Sequence, residues 1–156
     1  MWRRMTELLA LASLIAPTDL ISQSTEREAL SLALAHSRTV VVEGKIQVSS
    51  DSVPAGQESL VQSAAVSVGF SFGPLLEVAR EVPTGGYCSS GGDFRGFVTV
   101  LEIDVVDLNT MVVILETALL YAHVCRMYLQ VDRIEMVRDV QSGRWKILTI
   151  TRLSET

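Results

Sequence analysis

The chain has 156 residues, 48% of them hydrophobic, 20% charged and 6% aromatic, with a formal net charge of −5. A chain of this length buries roughly 70% of its unfolded surface, so a single domain folds without metal or disulfide, and the composition excludes disordered, collagen-like and coiled-coil chains. A sequence pI near 5.0 also removes the electrostatic footprint of a protein that grips nucleic acid with its whole surface.

The amino terminus, MWRRMTELLALASLIAPTDLIS, places two arginines before a short apolar run, an arrangement shared with signal peptides and organellar presequences. Glu7 within the run and Asp19 after it count against a targeting segment and favour a packed helix from Thr6 to Ala16 that Pro17 stops. Thr25 and Glu28 have capping-box spacing. They predict a second helix running to His36 with an apolar face of Ala29, Leu30, Leu32, Ala33 and Leu34.

From Thr39 the period changes to two, and Val40, Val42, Ile46 and Val48 share one face of an expected strand that SDSVPAG ends. A second alternation, Ala64, Val66, Val68, Phe70 and Phe72, predicts an antiparallel strand with one covered face. Pro74 to Val82 fits a helical turn or a short strand, and PTGGYCSSGGDFRG is a loop. Phe97 to Leu108 is a strand, and Asp107 to Thr110 is a turn. Met111 to Gln130 is apolar nearly all round, which a buried strand pair or a buried helix would explain; its β-branched start favours strands with a break near Tyr121 to His123. Met127, Leu129 and Val131 alternate, then the phase slips at Asp132 and Arg133 before Ile134 and Met136, which predicts a β-bulge. DVQSGRW is a hairpin turn leading to a last strand from Trp145.

The expected fold is therefore α+β: two amino-terminal helices packed on a curved antiparallel sheet of five to seven strands. It forms one domain over residues 1–156, helical over 1–37 and a β-rich meander over 38–156. Met111 to Cys125, the longest apolar stretch, is too short for a membrane-spanning helix and contains Glu116, so no membrane span is expected.

The closing stretch MYLQVDRIEMVRDVQSGRWKILTITRL, a long strand, a turn with Gly-Arg-Trp and a last strand, resembles the closing hairpin of NTF2-like (SnoaL-like) domains. Helices before a curved meander also suit that family. The resemblance covers about the last 30 residues. It implies a cone-shaped pocket or a dimerising sheet. The Asp/His pair of catalytic members is not placed on this sequence, and no catalytic residue is carried over.

Several residue groups could carry chemistry. Cys88 lies in GGYCSSGG, where flanking glycines could turn backbone amides towards an anion; with His36 and Asp51 it would make a cysteine hydrolase, although 156 residues are few for such an enzyme. His123 and Cys125 share a strand face and could join Cys88 around zinc, but scattered ligands of this kind are the ordinary content of a core, and neither metal nor cofactor is expected. Only two cysteines are present, without CxxC spacing, which suits a reducing compartment such as the cytoplasm. Glu116 inside an apolar run needs a partner or a proton and is a candidate acid, base or polar anchor. Charge is uneven: residues 43–116 hold three basic and ten acidic side chains, whereas Arg126, Arg133, Arg138, Arg144, Lys146 and Arg152 form the only basic concentration. Those six are the candidate contacts for an anion or a partner, with nucleic acid disfavoured.

Abundant apolar residues, reflected in a mean hydropathy of +0.33, favour a non-enzymatic module that binds protein, either its own copy or a larger assembly. An NTF2-like pocket for a small apolar molecule, anchored by Glu116 or His123, is the alternative, and a cysteine hydrolase using Cys88 is the third.

Overall fold

The computed structural model describes residues 17–41, 44–74, 94–121 and 126–156. The order is α1 (Pro17–His36), a 3-10 turn (Ser37–Thr39), β1 (Lys45–Ser49), α2 (Glu58–Ser67), β2 (Ser71–Gly73), β3 (Phe94–Asp107), β4 (Thr110–Tyr121), β5 (Arg126–Arg138) and β6 (Trp145–Glu155). Six strands form one sheet in the order β2-β1-β3-β4-β5-β6. The α+β class and the largely antiparallel sheet match expectation, and α1 answers the helix expected to run to His36.

Three expectations need correction. The helix expected before Pro17 lies outside the described residues, and α1 already runs through Thr25, so the expected cap lies inside the helix. The strand expected over Ala64 to Phe72 is instead the end of α2 and the short β2. Val61, Ala64 and Ala65 are the buried residues of α2, at three- and four-residue spacing, and Glu58 in its first turn complements the helix dipole. Finally, the sheet is not wholly antiparallel, because β1 runs parallel to both β2 and β3. Parallel neighbours need a crossover, which α2 supplies between β1 and β2. Ile46, Gln47, Val48 and Ser49 of β1 are all buried, as befits a parallel strand covered on both faces.

From β3 to β6 the meander is antiparallel and long. The break expected near Tyr121 to His123 falls where β4 ends, and residues 122–125 lie outside the described residues. The bulge expected at Asp132 and Arg133 sits on the neighbouring strand. β5 pairs with β4 without interruption, while its register against β6 shifts at Val131/Asp132 and Glu135/Met136, leaving Leu153 and Leu148 without a directly opposite residue.

One face of the sheet carries Val98 and Val100, Met111, Val113 and Leu115, and Ile134 and Met136, which pack with Ala29, Leu30, Ala33 and Leu34 of α1 and with the buried stripe of α2. The two helices also meet through a 2.7 Å hydrogen bond between the Ser31 and Ser67 hydroxyls. After α1 the chain turns back on Ser37, whose carbonyl accepts the Val40 and Val41 amides. This sets Val41 directly over Gly96 of β3: a Cβ at Gly96 would lie 2.6 Å from a Val41 methyl. Gly96→Ala is therefore expected to lose about 1–3 kcal/mol through overpacking. Urea unfolding measures the loss, and Val41→Ala in the same chain should recover part of it.

The closing turn is tied at Asp139, whose Oδ1 accepts the Gln141 and Ser142 amides at 2.9 and 2.8 Å. Gly143 follows with φ +70°, a left-handed conformation that glycine adopts without strain. The Ser142 amide, followed by that of Gln141, holds the Asp139 carboxyl below its usual range. A depressed carboxyl adds stability above its unfolded pKa and loses it as pH falls through the folded value. Asp139→Ala should therefore lower the melting temperature at neutral pH and flatten its decline in acid relative to wild type.

Candidate functional site

The helix-covered face changes character along β4 and β5. Towards one end its residues are Met111, Val113, Ile134 and Met136, all buried and apolar, whereas further along they become Thr117, Gln130 and Asp132, buried and polar. Residues two apart on a strand share a face, so Tyr128, Gln130 and Asp132 form one row. The Tyr128 hydroxyl donates to Gln130 Oε1 at 3.2 Å, and Gln130 Nε2 donates to Asp132 Oδ2. Bonds at both ends fix which way the Gln130 amide points.

Asp132 is 4% exposed at its side chain and faces basic side chains from two other elements. The last residue of α1 brings His36 Nε2 to 3.5 Å from Oδ2, and β6 brings Arg152 Nε to 3.4 Å from Oδ1. Arg152 also holds Glu155 at 2.9 Å. His36 closes the helix at the end where the macrodipole favours a cation. Its Nε2 is buried and lies at ion-pair distance from the carboxylate without a directional hydrogen bond. Next to it, Thr117 Oγ1 donates to Ser37 Oγ at 3.3 Å. Three strands and the end of α1 thus converge on one polar centre, which runs from a buried carboxylate to the half-exposed Arg152 and Glu155.

The electrostatics follow from these contacts. The hydrogen bond to Glu155, with desolvation and the Glu155 charge adding to it, raises the Tyr128 phenol above its ordinary pKa. The Tyr128 hydroxyl and then Arg152 lower the Glu155 carboxyl, and Glu155 raises the Arg152 guanidinium. Chemically, the centre can hold a polar group between donors and acceptors, and it sets an imidazole beside a carboxylate, a pair able to pass a proton.

The residues singled out from sequence fall elsewhere. Cys88, His123 and Cys125, and the side chain of Arg126, lie outside the described residues. Glu116 is half-buried on the opposite face of the sheet, across from Thr99 and Val131, so it does not share the polar centre. Of the basic group, Arg133 pairs with Glu135 at 3.2 Å and Arg138 donates to the Gly143 carbonyl at 2.9 Å. Among the described side chains of that group, only Arg152 belongs to the centre. His36 was weighed as part of a triad with Asp51 and Cys88, but its carboxylate partner is Asp132. No group of three metal-ligating side chains occurs among the described residues, and no described helix is long and apolar enough to cross a membrane. An open polar groove of about 530 Å³ lies between α1 and α2, lined by Gln23, Arg27, Gln57 and Ser63 among others, at the other end of α1 from His36. No family model matches the chain, and no curated protein or solved structure is found similar to it.

Asp132→Ala would leave the buried Gln130 amide without its acceptor, at about 1–3 kcal/mol, and would remove the carboxylate beside His36. Denaturant unfolding should show that loss, and His36→Ala should cost less in the Asp132→Ala background than in wild type. At alkaline pH, Glu155→Gln should move the Tyr128 titration down towards the ordinary phenol. Tyrosinate absorbance reads this, with Tyr128→Phe identifying the component.

Proposed function

We propose that the chain is an NTF2-like pocket domain that binds or transforms a small, largely apolar molecule, holding its one polar group at the Asp132 centre. The observation that carries this reading is the change from apolar to polar on the helix-covered face. Buried polar side chains are costly in a core and are retained where they bind or react. Gln130 and Arg152 orient the carboxylate, and His36 is the group beside it that can take or give a proton. The pair supplies the residue types used by catalytic members of the family that the closing hairpin resembles. Helices followed by a bulged meander, with β1 beside β3, are consistent with that resemblance. Asp132 takes the anchoring role in this reading, because Glu116 lies on the opposite face of the sheet.

A naphthol, an apolar ring system with one hydroxyl, is a suitable probe. Its fluorescence should respond saturably to the wild-type protein, and Asp132→Asn and His36→Ala should each weaken binding about tenfold, equivalent to 1.4 kcal/mol, while keeping native circular dichroism. Binding that ignores both substitutions, or no binding by any naphthol, refutes the pocket reading. Assembly with other polypeptides rests on a different surface.

A further inference from the structure

We propose that the chain associates head-to-tail with copies of itself by continuing its sheet, the free edge of β3 in one copy joining β6 of the next. β1 covers β3 only along Phe94 to Val98. Beyond that point the edge of β3 facing away from β4 has no partner strand among the described residues. It is acidic: Glu102, Asp104 and Asp107 lie on it, with no cation from Leu101 to Asp107. β6 is the other end of the sheet; its start is basic, with Lys146 on it and Arg144 just before it, while farther along Arg152 is paired with Asp132 and Glu155. The acidic middle and basic end of the sequence thus become opposite edges of one sheet.

Both edges are also greasy. Of the nine exposed large hydrophobic side chains, six belong to these two strands: Leu101, Val105, Val106, Leu148, Ile150 and Leu153. Leu101, Val106, Leu148 and Leu153 are the residues left without opposite partners at the register shifts against β4 and β5. An exposed strand edge of this kind is a template for another strand. Charge decides which one. Joining like edges sets carboxylates against carboxylates or cations against cations, which is unfavourable in directly opposite positions, whereas joining unlike edges pairs opposite signs.

The direction is right as well. Three successive antiparallel pairings separate β3 from β6, so β3 of a second copy laid beside β6 in the same orientation runs antiparallel to it. A register that keeps the helix-covered faces together sets Asp107 opposite Lys146, Ile103 opposite Ile150 and Val105 opposite Leu148. Seven residues in this overlap span roughly 24 Å. Because the two surfaces differ, the contact does not close at a dimer; it extends into a ring or a filament.

Sedimentation velocity of the full chain over a range of concentrations tests the proposal. At low salt the wild-type mass should rise past that of a dimer, and it should fall in high salt. Val105→Lys blocks the acidic edge and Leu148→Lys blocks the basic edge, both at exposed positions where native circular dichroism and melting should persist. Each variant alone should be monomeric. Their equimolar mixture should give a one-to-one complex that does not grow, since one native joint remains and the other sets lysine against lysine. A wild-type chain that is monomeric throughout overturns the proposal. So does self-association retained by either variant alone, which would mean like edges or another face make the contact, and so does a mixture that stays monomeric.

Discussion

A carboxylate that is almost wholly withdrawn from water must be met by donors and cations, and Asp132 obtains them from α1 (His36), its own strand (Gln130) and β6 (Arg152). That demand couples elements far apart in the chain. The end of α1 must reach β5, and β6 must pair with β5 in a register that sets Arg152 opposite Asp132. The shift at Val131/Asp132 is where the strand pair adjusts to do so. Replacing such a buried ionic group by well-packed apolar residues is often neutral or stabilising. Stability alone therefore gives little reason to keep Asp132 here.

Much of the sheet was legible from alternation. Strand partners of β3 to β6 and the breaks at 108–109 and 139–144 follow from a period of two punctuated by turn residues, because each strand has one helix-covered face that must stay apolar for most of its length. The helices were less legible. The stretch AAVSVGFSF alternates strictly, yet its first half belongs to α2, whose buried Val61, Ala64 and Ala65 fit a helical stripe once Glu58 to Leu60 are included. Small residues satisfy both periods, so the neighbouring residues decide.

The site was hidden by the same logic that revealed the strands. The apparent slip at Asp132 and Arg133 is no slip in the chain, since β5 runs against β4 without a bulge. Even-numbered residues keep to the helix-covered face throughout, but at positions 130 and 132 they are polar while odd-numbered Leu129 and Val131 are apolar. The signal of a bulge and the signal of a polar centre are identical in hydropathy. They differ in residue type: Gln and Asp at successive same-face positions, with a His closing the preceding helix and an Arg on the next strand, are complementary in charge. Glu116 drew attention for being a lone acid in an apolar run, yet its strand is apolar on both faces, so the run alone did not reveal which face it occupied.

The distribution of charge carries a separate consequence. Had the basic strands lain directly against the acidic ones, cross-strand pairing would have neutralised both within one copy. Instead, the exposed acids of β3 and the exposed bases of β6 are separated by β4 and β5. Their attraction cannot be satisfied across two intervening strands at the distances where exposed charges interact strongly. The polar centre faces the helices, whereas the free strand edges face along the sheet; β6, which sets Arg152 opposite Asp132, is the strand that borders both.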